Sequence, residues 1–321
     1  MPKVSVIIPV YGVEKYIERC ARTLFEQTLE EIEFIFIDDC TPDRSMELLG
    51  KIIDEYRSRI AGMNWVVRTE KMPANSGLPA VRRHGIELAK GDYIINCDSD
   101  DWVDLDLYEK MYEASQNGEF DIVVSGYKMT DGIHEKLFKE LGSSDADMYL
   151  QEMMNGRTAW FLSNKLIKSW LWRKIAKWPT GNMGEDMCIS LQLFSYAKNV
   201  AFVSGPVYYY YANPVSIARA HSEQKDIAKY KQLSENVEIV INFLKNKSYN
   251  KAFQKSIDHL HFCRYSMLVN VKDTEYRKEY RRGVRLYAWS VITNSNVMPK
   301  DRIRAFLMLT NVYQLLTRCR V

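Results

Sequence analysis

Tyr93-Ile94-Ile95-Asn96-Cys97-Asp98-Ser99-Asp100-Asp101 is the stretch on which the reading of this 321-residue chain turns. The apolar run reads as a buried strand, and the acids mark its end. Alternate residues of a strand share a face, so Asp98 and Asp100 project side by side at the C-terminal tip. Two carboxylates held together repel, and a hydrophobic strand gives them little solvation. A divalent cation resolves that repulsion, and hard carboxylate oxygens suit Mg2+ or Mn2+. Held by one or two carboxylates, with its other positions open, such an ion is suited to gripping a diphosphate. An acidic turn or a helix N-cap is the competing reading, and an Asp-x-Asp alone does not exclude it.

Upstream, strand and helix patterns alternate. Residues 4–9 form a continuous apolar run, as in a strand covered on both faces. Ile17, Cys20, Ala21, Leu24 and Phe25 keep the spacing of an amphipathic helix. A second strand over 32–37 ends at Asp38-Asp39. A second helix from Ser45 buries Leu48, Leu49, Ile52, Ile53, Tyr56 and Ile60, with Asp43 or Ser45 as its cap. Further strands are expected over 65–67, 92–97 and 121–124, and a third helix over 77–90. This repetition predicts an α/β fold, a mainly parallel sheet with helices on both faces. Ligands of such sheets sit beyond the C-terminal strand ends. Pro9-Val10-Tyr11, Asp38-Asp39 and Asp98-Ser99-Asp100 all fall there, a convergence that a chance acidic turn would not require.

From 128 to 156 the pattern weakens to loops and a helix. Residues 160–178 are aromatic and basic, and a Pro/Gly turn over 179–184 leads into Glu185-Asp186. An apolar strand over 200–203 then precedes Tyr208-Tyr209-Tyr210-Tyr211. Beyond about Ser222 helical spacing dominates, as in Val237, Val240, Ile241 and Leu244. A boundary near Ala220 is therefore expected, with an α/β domain over 1–220 and a helical accessory domain over 221–321. A chain of this length exceeds one comfortable core.

Composition excludes several classes. No stretch approaches the roughly 20 apolar residues of a membrane span, and the N-terminus reads as a first strand rather than a secretory signal. The six cysteines are scattered with no Cys-x-x-Cys pair, which fits free thiols in a reducing cytoplasm. Net charge is +3, yet residues 271–321 hold eleven Lys/Arg against four Asp/Glu. A mildly acidic body with a basic tail points to an anionic surface as the tail's partner. Arginines flank Phe306-Leu307-Met308-Leu309 within 302–320, a pattern for a membrane face or for a helix packed on its own domain. His259 and His261 stand two apart in a helix and face different ways, against a shared metal. Asn246-Lys247-Ser248 matches a glycosylation sequon by chance.

Several motifs in one order resemble the family 2 glycosyltransferases, an inverting family with the GT-A fold. They are Val-Ser-Val-Ile-Ile-Pro-Val-Tyr at 4–11, Ile-Asp-Asp-Cys-Thr-Pro-Asp at 37–43 and Asn-Ser-Gly at 75–77. Arg82-Arg83-His84-Gly85, Ala89-Lys90-Gly91-Asp92-Tyr93, Asp98-Ser99-Asp100-Asp101 and Glu185-Asp186 follow. The resemblance covers about residues 3–220. It implies a GT-A, Rossmann-like sheet followed by the C-terminal helical region.

The resemblance also implies roles. Pro9, Val10 and Tyr11 would contact the base and ribose of a nucleotide, the competitor being a Tyr11 that packs its loop. Asp39 resembles the aspartate that accepts the imide N–H of uracil, with an N-cap as its competitor. Gly77 permits close approach to the nucleotide. Arg82 would reach the donor phosphates as a fixed cation, unless it is an exposed helix arginine. Asp100 is the first choice of metal ligand, supported by Asp98, with Ser99 at the nucleotide-sugar site and Asp101 capping a helix near Leu105. Asp186 matches the base that deprotonates the acceptor hydroxyl, and Glu185 positions acceptor or metal surroundings. An acidic helix start competes with that reading. Tyr211 departs from the family, standing where an arginine is expected. Arg219 is the candidate replacement, and His221 is a candidate third ligand.

Together these give an expectation of an Mg2+- or Mn2+-dependent inverting glycosyltransferase. It would move a sugar from a UDP-sugar to a glycan or lipid-linked glycan of a surface polysaccharide. The expected place is the cytoplasm, peripheral on the inner face of the membrane, and nothing calls for nucleic acid. A non-catalytic sugar-nucleotide-binding or scaffold module is the alternative, favoured by Tyr211. A sugar-1-phosphate nucleotidyltransferase needs a Gly-rich phosphate loop after the first strand, and Pro9-Val10-Tyr11-Gly12 does not supply one.

Overall fold

The computed structural model describes residues 1–116, 118–140, 144–214, 222–245 and 251–313. It divides into two compact units. The first takes Met1–Ala146, Phe161–Trp178 and Tyr196–Pro214, and the second Asp147–Trp160, Pro179–Ser195 and Val215–Val321. Ala220, Arg219, His221, Cys319 and the sequon at 246–248 lie outside the described residues.

In chain order the elements begin with β1 (Val4–Val10), α1 (Ile17–Phe25), β2 (Ile32–Asp38), α2 (Ser45–Glu55), α3 (Arg57–Gly62), β3 (Val66–Lys71) and α4 (Leu78–Leu88). Next come β4 (Tyr93–Asn96), β5 (Trp102–Val103), α5 (Leu107–Ala114), β6 (Ile122–Thr130), β7 (Glu135–Phe138) and α6 (Ala146–Met154). Then follow β8 (Lys165–Lys168), α7 (Ser169–Trp172), α8 (Glu185–Phe194) and β9 (Val200–Tyr211). The chain closes with α9 (Glu223–Lys245), α10 (Lys251–Ser266), α11 (Thr274–Thr293) and α12 (Pro299–Leu309).

All nine strands form one sheet in the first unit, ordered β3-β2-β1-β4-β8-β6-β9-β5, with β7 paired to β6. The half from β3 to β4 is parallel, as expected. Beyond β4 the sheet is mixed: β8 runs antiparallel to β4 and β6, β5 antiparallel to β9, and β6 parallel to β9. Every residue of β1 and β2 is buried, which is why both strands read as mostly apolar runs, the polar Ser5 and Glu33 within them paired to each other at 2.6 Å. Val4, Val6, Ile8 and Val10 face a core shared with Ile17, Leu24 and Phe25 of α1 and with Leu49 and Ile52 of α2. Gly85 of α4 lies against Ile7 on the opposite face, where a side chain would not fit.

After β1 the chain builds outward through β2 and β3, then returns to place β4 on the other side of β1. That reversal opens a crevice beyond the carboxyl ends of β1 and β4, where open α/β sheets bind ligands. In the second unit, Tyr280, Val284, Ala288 and Val291 of α11 and Ala305 and Met308 of α12 share one apolar cluster. Among the described residues no helix is long and apolar enough to cross a membrane.

Candidate active site

At the tip of β1, Ser99 donates its hydroxyl to the Pro9 carbonyl at 2.6 Å, which stitches the acidic segment to the first strand across the crevice. Beside it Tyr11 is 51% exposed, so the aromatic face expected at the rim is open to a ligand rather than packed in its loop. The loop behind Tyr11 is held by the next βα turn. Thr41 Oγ1 accepts the Gly12 amide at 2.9 Å, and Asp43 accepts the Glu14 amide at 2.9 Å. Asp43 also takes the Ser45 amide and hydroxyl at the start of α2, and these bonds pull its carboxyl below the ordinary value against the opposing effect of burial.

Asp38 and Asp39 divide their work. Asp38 accepts the Thr41 amide at 2.7 Å and lies 3.9 Å from Lys71, which supports the strand end. Asp39 caps nothing on its own helix. Its two oxygens accept the Ser76 and Gly77 amides at 2.7 and 3.0 Å, from the segment that enters α4. Gly77 there has φ of 80°, a left-handed conformation that favours glycine. The Asn-Ser-Gly motif is thus tied by its backbone to an aspartate thirty-seven residues upstream.

Arg82 is not an exposed helix arginine. It is fully buried, and its guanidinium donates to Asp98 Oδ1 at 2.6 Å. A planar cation paired inside the fold fixes the first aspartate of the acidic run. Asp100 is gripped from two directions. Asn213 Nδ2 donates to its carboxylate at 3.0 Å, and Arg19 donates to its backbone carbonyl at 3.0 Å. Burial raises the Asp100 carboxyl above its ordinary value, and the Asp98 charge adds to the rise against the Asn213 hydrogen bond.

Asp101 corrects the sequence reading. The helix after it begins at Leu107, with Asp106 at the cap position. Asp101 is instead buried, accepting the Tyr208 hydroxyl at 2.5 Å and the Tyr211 amide at 2.6 Å. The Tyr208 oxygen also accepts the Asp98 amide at 3.2 Å, so one phenol spans the acidic run. Burial pushes the Asp101 carboxyl well up, with the charges of Asp100 and Asp98 adding to it.

Sequence reasoning missed Arg19 and Asn213. Arg19 lies over the Trp102 ring at 3.5 Å and over Tyr211 at 4.9 Å. A guanidinium therefore stands beside Tyr211, where the arginine was expected, supplied by α1 rather than by β9. Its position off the buried stripe of α1 gives no local sign of this, because the partner Asp100 is 81 residues away. Asn213 was legible only as part of Asn213-Pro214-Val215-Ser216-Ile217, and its bonds to Asp100 and Tyr16 needed the fold.

The donor set suits a hard cation. Arg82 takes one oxygen of Asp98 and Asn213 one oxygen of Asp100, and each carboxylate has a second oxygen. Among the described residues no three His, Cys, Asp or Glu side chains assemble a metal cage. His259 and His261 do not share a site: His259 Nδ1 meets the Met154 carbonyl at 2.7 Å, and His261 stacks on Tyr287 at 4.6 Å.

Glu185 and Asp186 belong to the second unit, in the first turn of α8. Gly184 precedes them with φ of 75°, a left-handed turn into the helix. Glu185 is buried and Asp186 half-buried, and acids in a first turn favour the helix dipole. The five described cysteines are free, Cys20 and Cys97 lying 4.0 Å apart beneath the acidic run.

Comparison with known proteins bears on the family and the fold. The chain is 30% identical over 226 residues to the uncharacterized glycosyltransferase EpsJ of Bacillus subtilis, a match covering 68% of the chain and 63% of EpsJ. It is 26% identical to the poly(ribitol-phosphate) beta-glucosyltransferase of Bacillus spizizenii, over 98% of the chain and 50% of that protein. The chain therefore spans less than two thirds of the length of either relative. The crystal structure of S. aureus TarS 1-349 in complex with UDP-GlcNAc is 18% identical, covering 97% of the chain and 89% of that chain, with a TM-score of 0.69. That likeness shows the fold, the expected GT-A arrangement of sheet and helices. Residues 5–166 match the family described as glycosyl transferase family 2, and the chain belongs to that family.

Proposed function

We propose that the protein is an inverting glycosyltransferase that moves a sugar from a UDP-sugar to a hydroxyl of a cell-surface polysaccharide or lipid-linked glycan, working on the cytoplasmic side. The observation that carries the reading is the rim of the first unit. There Asp39, tied to Ser76 and Gly77, and Asp98 and Asp100, tied to Arg82 and Asn213, stand at the ends of neighbouring parallel strands. Family membership and the poly(ribitol-phosphate) relative support the acceptor class.

In this reading Pro9, Val10 and Tyr11 receive the base and ribose, and Asp39 accepts the imide N–H of the base. Ser99 holds the acidic segment to Pro9, Gly77 lets the backbone approach the nucleotide, and Arg82 keeps Asp98 in place facing the diphosphate. Asp100, helped by Asp98, would hold Mg2+ or Mn2+. A bound divalent cation there would neutralise the charge that develops on a departing nucleoside diphosphate. Asp186 removes the proton from the acceptor hydroxyl, and Glu185 positions it. The scaffold alternative drew on Tyr211 in place of arginine, and Arg19 beside that ring supplies a guanidinium there.

The test is UDP release from a panel of UDP-sugars and glycan acceptors with Mn2+ or Mg2+. Asp186→Asn should retain UDP binding and lose about 10²–10⁴-fold in turnover. Equal turnover in the variant and the wild type would remove Asp186 from the mechanism.

A further inference from the structure

The outward face of the α11–α12 hairpin carries four large apolar side chains. Leu286 is 58% exposed, Trp289 64%, Ile303 61% and Phe306 53%. Single exposed apolar residues are ordinary on a protein surface; a patterned set is not. Both helices bury their inner faces in one cluster, Val284, Ala288 and Val291 from α11 and Ala305 and Met308 from α12. The exposed residues lie on the opposite face of each helix. The connection is short, running from 294 to 298, and Arg302 donates to the Ile292 carbonyl across it at 2.9 Å. Trp289 and Ile303 each stand four residues from that connection, and Leu286 and Phe306 each seven. The hairpin thus sets the apolar residues in two pairs at matching heights.

Charge on the hairpin is sorted by side. Lys278, Arg282 and Arg285 are exposed at i, i+4 and i+7, on the same face of α11 that continues to Leu286 and Trp289. Three cations on that stripe stand with one exposed acid, Glu275, three residues before Lys278. Asp273 caps the first turn and Glu275 lies within it, at the far end from Trp289. Glu279 turns to the Tyr230 hydroxyl, and Asp301 of α12 lies on the side of Gly156 and His259. An outward face with aromatic or aliphatic side chains and a surplus of cations, its exposed acid Glu275 at the end far from Trp289, is complementary to a surface that is apolar beneath and anionic above.

We propose that this face docks the protein on an anionic phospholipid bilayer, with Leu286, Trp289, Ile303 and Phe306 at the boundary between headgroups and acyl chains. Lys278, Arg282 and Arg285 meet the headgroup phosphates. The earlier expectation placed such a face at 302–320; α12 buries Met308, and the exposed apolar residues are shared between two helices. The proposal does not depend on donor chemistry, since vesicle binding without UDP-sugar turnover would leave it standing and overturn only the catalytic reading.

The experiment is sedimentation of the full chain with vesicles of phosphatidylcholine alone and of phosphatidylcholine with phosphatidylglycerol. Wild type should bind the anionic vesicles about tenfold better, and Arg282→Glu with Arg285→Glu should lose about tenfold or more on them. Both positions are exposed, so the variant keeps its melting temperature. Brominated acyl chains should quench tryptophan fluorescence in wild type and not in Trp289→Ala. Equal binding to both vesicle types, unchanged binding by the charge-reversed variant, or quenching that persists in Trp289→Ala overturns the proposal. So does a dimer that Trp289→Ala converts to a monomer without any vesicle binding, which would make the face a contact between two copies.

Discussion

At the rim of the first unit charged groups lie inside: Arg82 is fully buried against Asp98, and Asp101 is 1% exposed with the Tyr208 hydroxyl and the Tyr211 amide on it. In the α11–α12 hairpin of the second unit the inside is Val284, Ala288, Val291, Ala305 and Met308, while Arg281, Arg282 and Arg285 stand outside. Taking a charge out of water costs several kcal/mol unless it is paired and hydrogen-bonded. A hairpin whose interior is wholly apolar avoids that cost. The rim accepts it and satisfies each group individually, as expected where charged side chains must be fixed for a ligand.

The contrast is broken most directly at Asp100. Its carboxyl is raised by burial and by Asp98, so it is held in the fold against its electrostatic preference. Asp100→Ala should lower kcat/KM for the UDP-sugar by about 10²–10³-fold, about 3–4 kcal/mol of transition-state stabilisation. The melting temperature should stay level or rise, because a buried repulsion is removed. Loss of both activity and stability would make Asp100 a structural residue.

Tyr208 tests the neighbouring acid, Asp101. Its hydroxyl serves the buried Asp101 carboxylate and the Asp98 amide. Tyr208→Phe leaves both short of a partner and should cost about 1–3 kcal/mol in urea denaturation. An effect within error would mean that Asp101 is satisfied without the phenol and that the rim is more loosely built than its distances suggest.

Legibility follows the same divide. The parallel half of the sheet was readable because burial on both faces makes β1, β2 and β4 mostly apolar, and α1 keeps a clean helical period. The mixed half was not. β5 has two residues, and β8 is Lys165-Leu166-Ile167-Lys168, in which a lysine is buried by donating to the Phe161 carbonyl and Asn164. No pattern rule expects a buried lysine in a four-residue strand. β9 was read as two pieces, since Ser204-Gly205-Pro206 interrupts its apolar run where the pairing with β6 shifts register. Asp39, Asp98 and Asp100 were legible because they end strands. Asp101 was misread because its partners, Tyr208 and Tyr211, come from a strand more than a hundred residues later.

Arg19 sharpens the comparison at a smaller scale. It stacks on Trp102 and Tyr211 and bonds the Asp100 carbonyl, so it acts on the site through its neighbours. Arg19→Ala should reduce kcat/KM by about five- to tenfold, the range of a partly desolvated cation–π contact with one hydrogen bond. Arg19→Lys should restore little, because an ammonium keeps the charge and loses the planar stack. Full rescue by lysine would show that only the charge matters there.

The smallest expected effect lies in the second unit, at a partly buried histidine. His261 of α10 stacks on Tyr287 of α11 at 4.6 Å. Burial, followed by the Arg264 cation, lowers its imidazole from the ordinary 6.5 to about 4, while Glu238 and Asp258 pull the other way and Lys245 adds to the fall. A base whose folded pKa is depressed contributes stability above its unfolded pKa and loses it as pH drops toward the folded one. Stability should therefore be level above about pH 6.5 and decline between 6.5 and 4, by about 1–2 kcal/mol once solvent access to a half-buried ring is allowed for. His261→Phe keeps the stack on Tyr287 and removes the proton site, so this part of the decline should vanish from its urea denaturation series. A decline that persists undiminished in His261→Phe would place the acid sensitivity in a group other than His261, and not in Asp100 or Asp101, whose raised carboxyls gain from protonation.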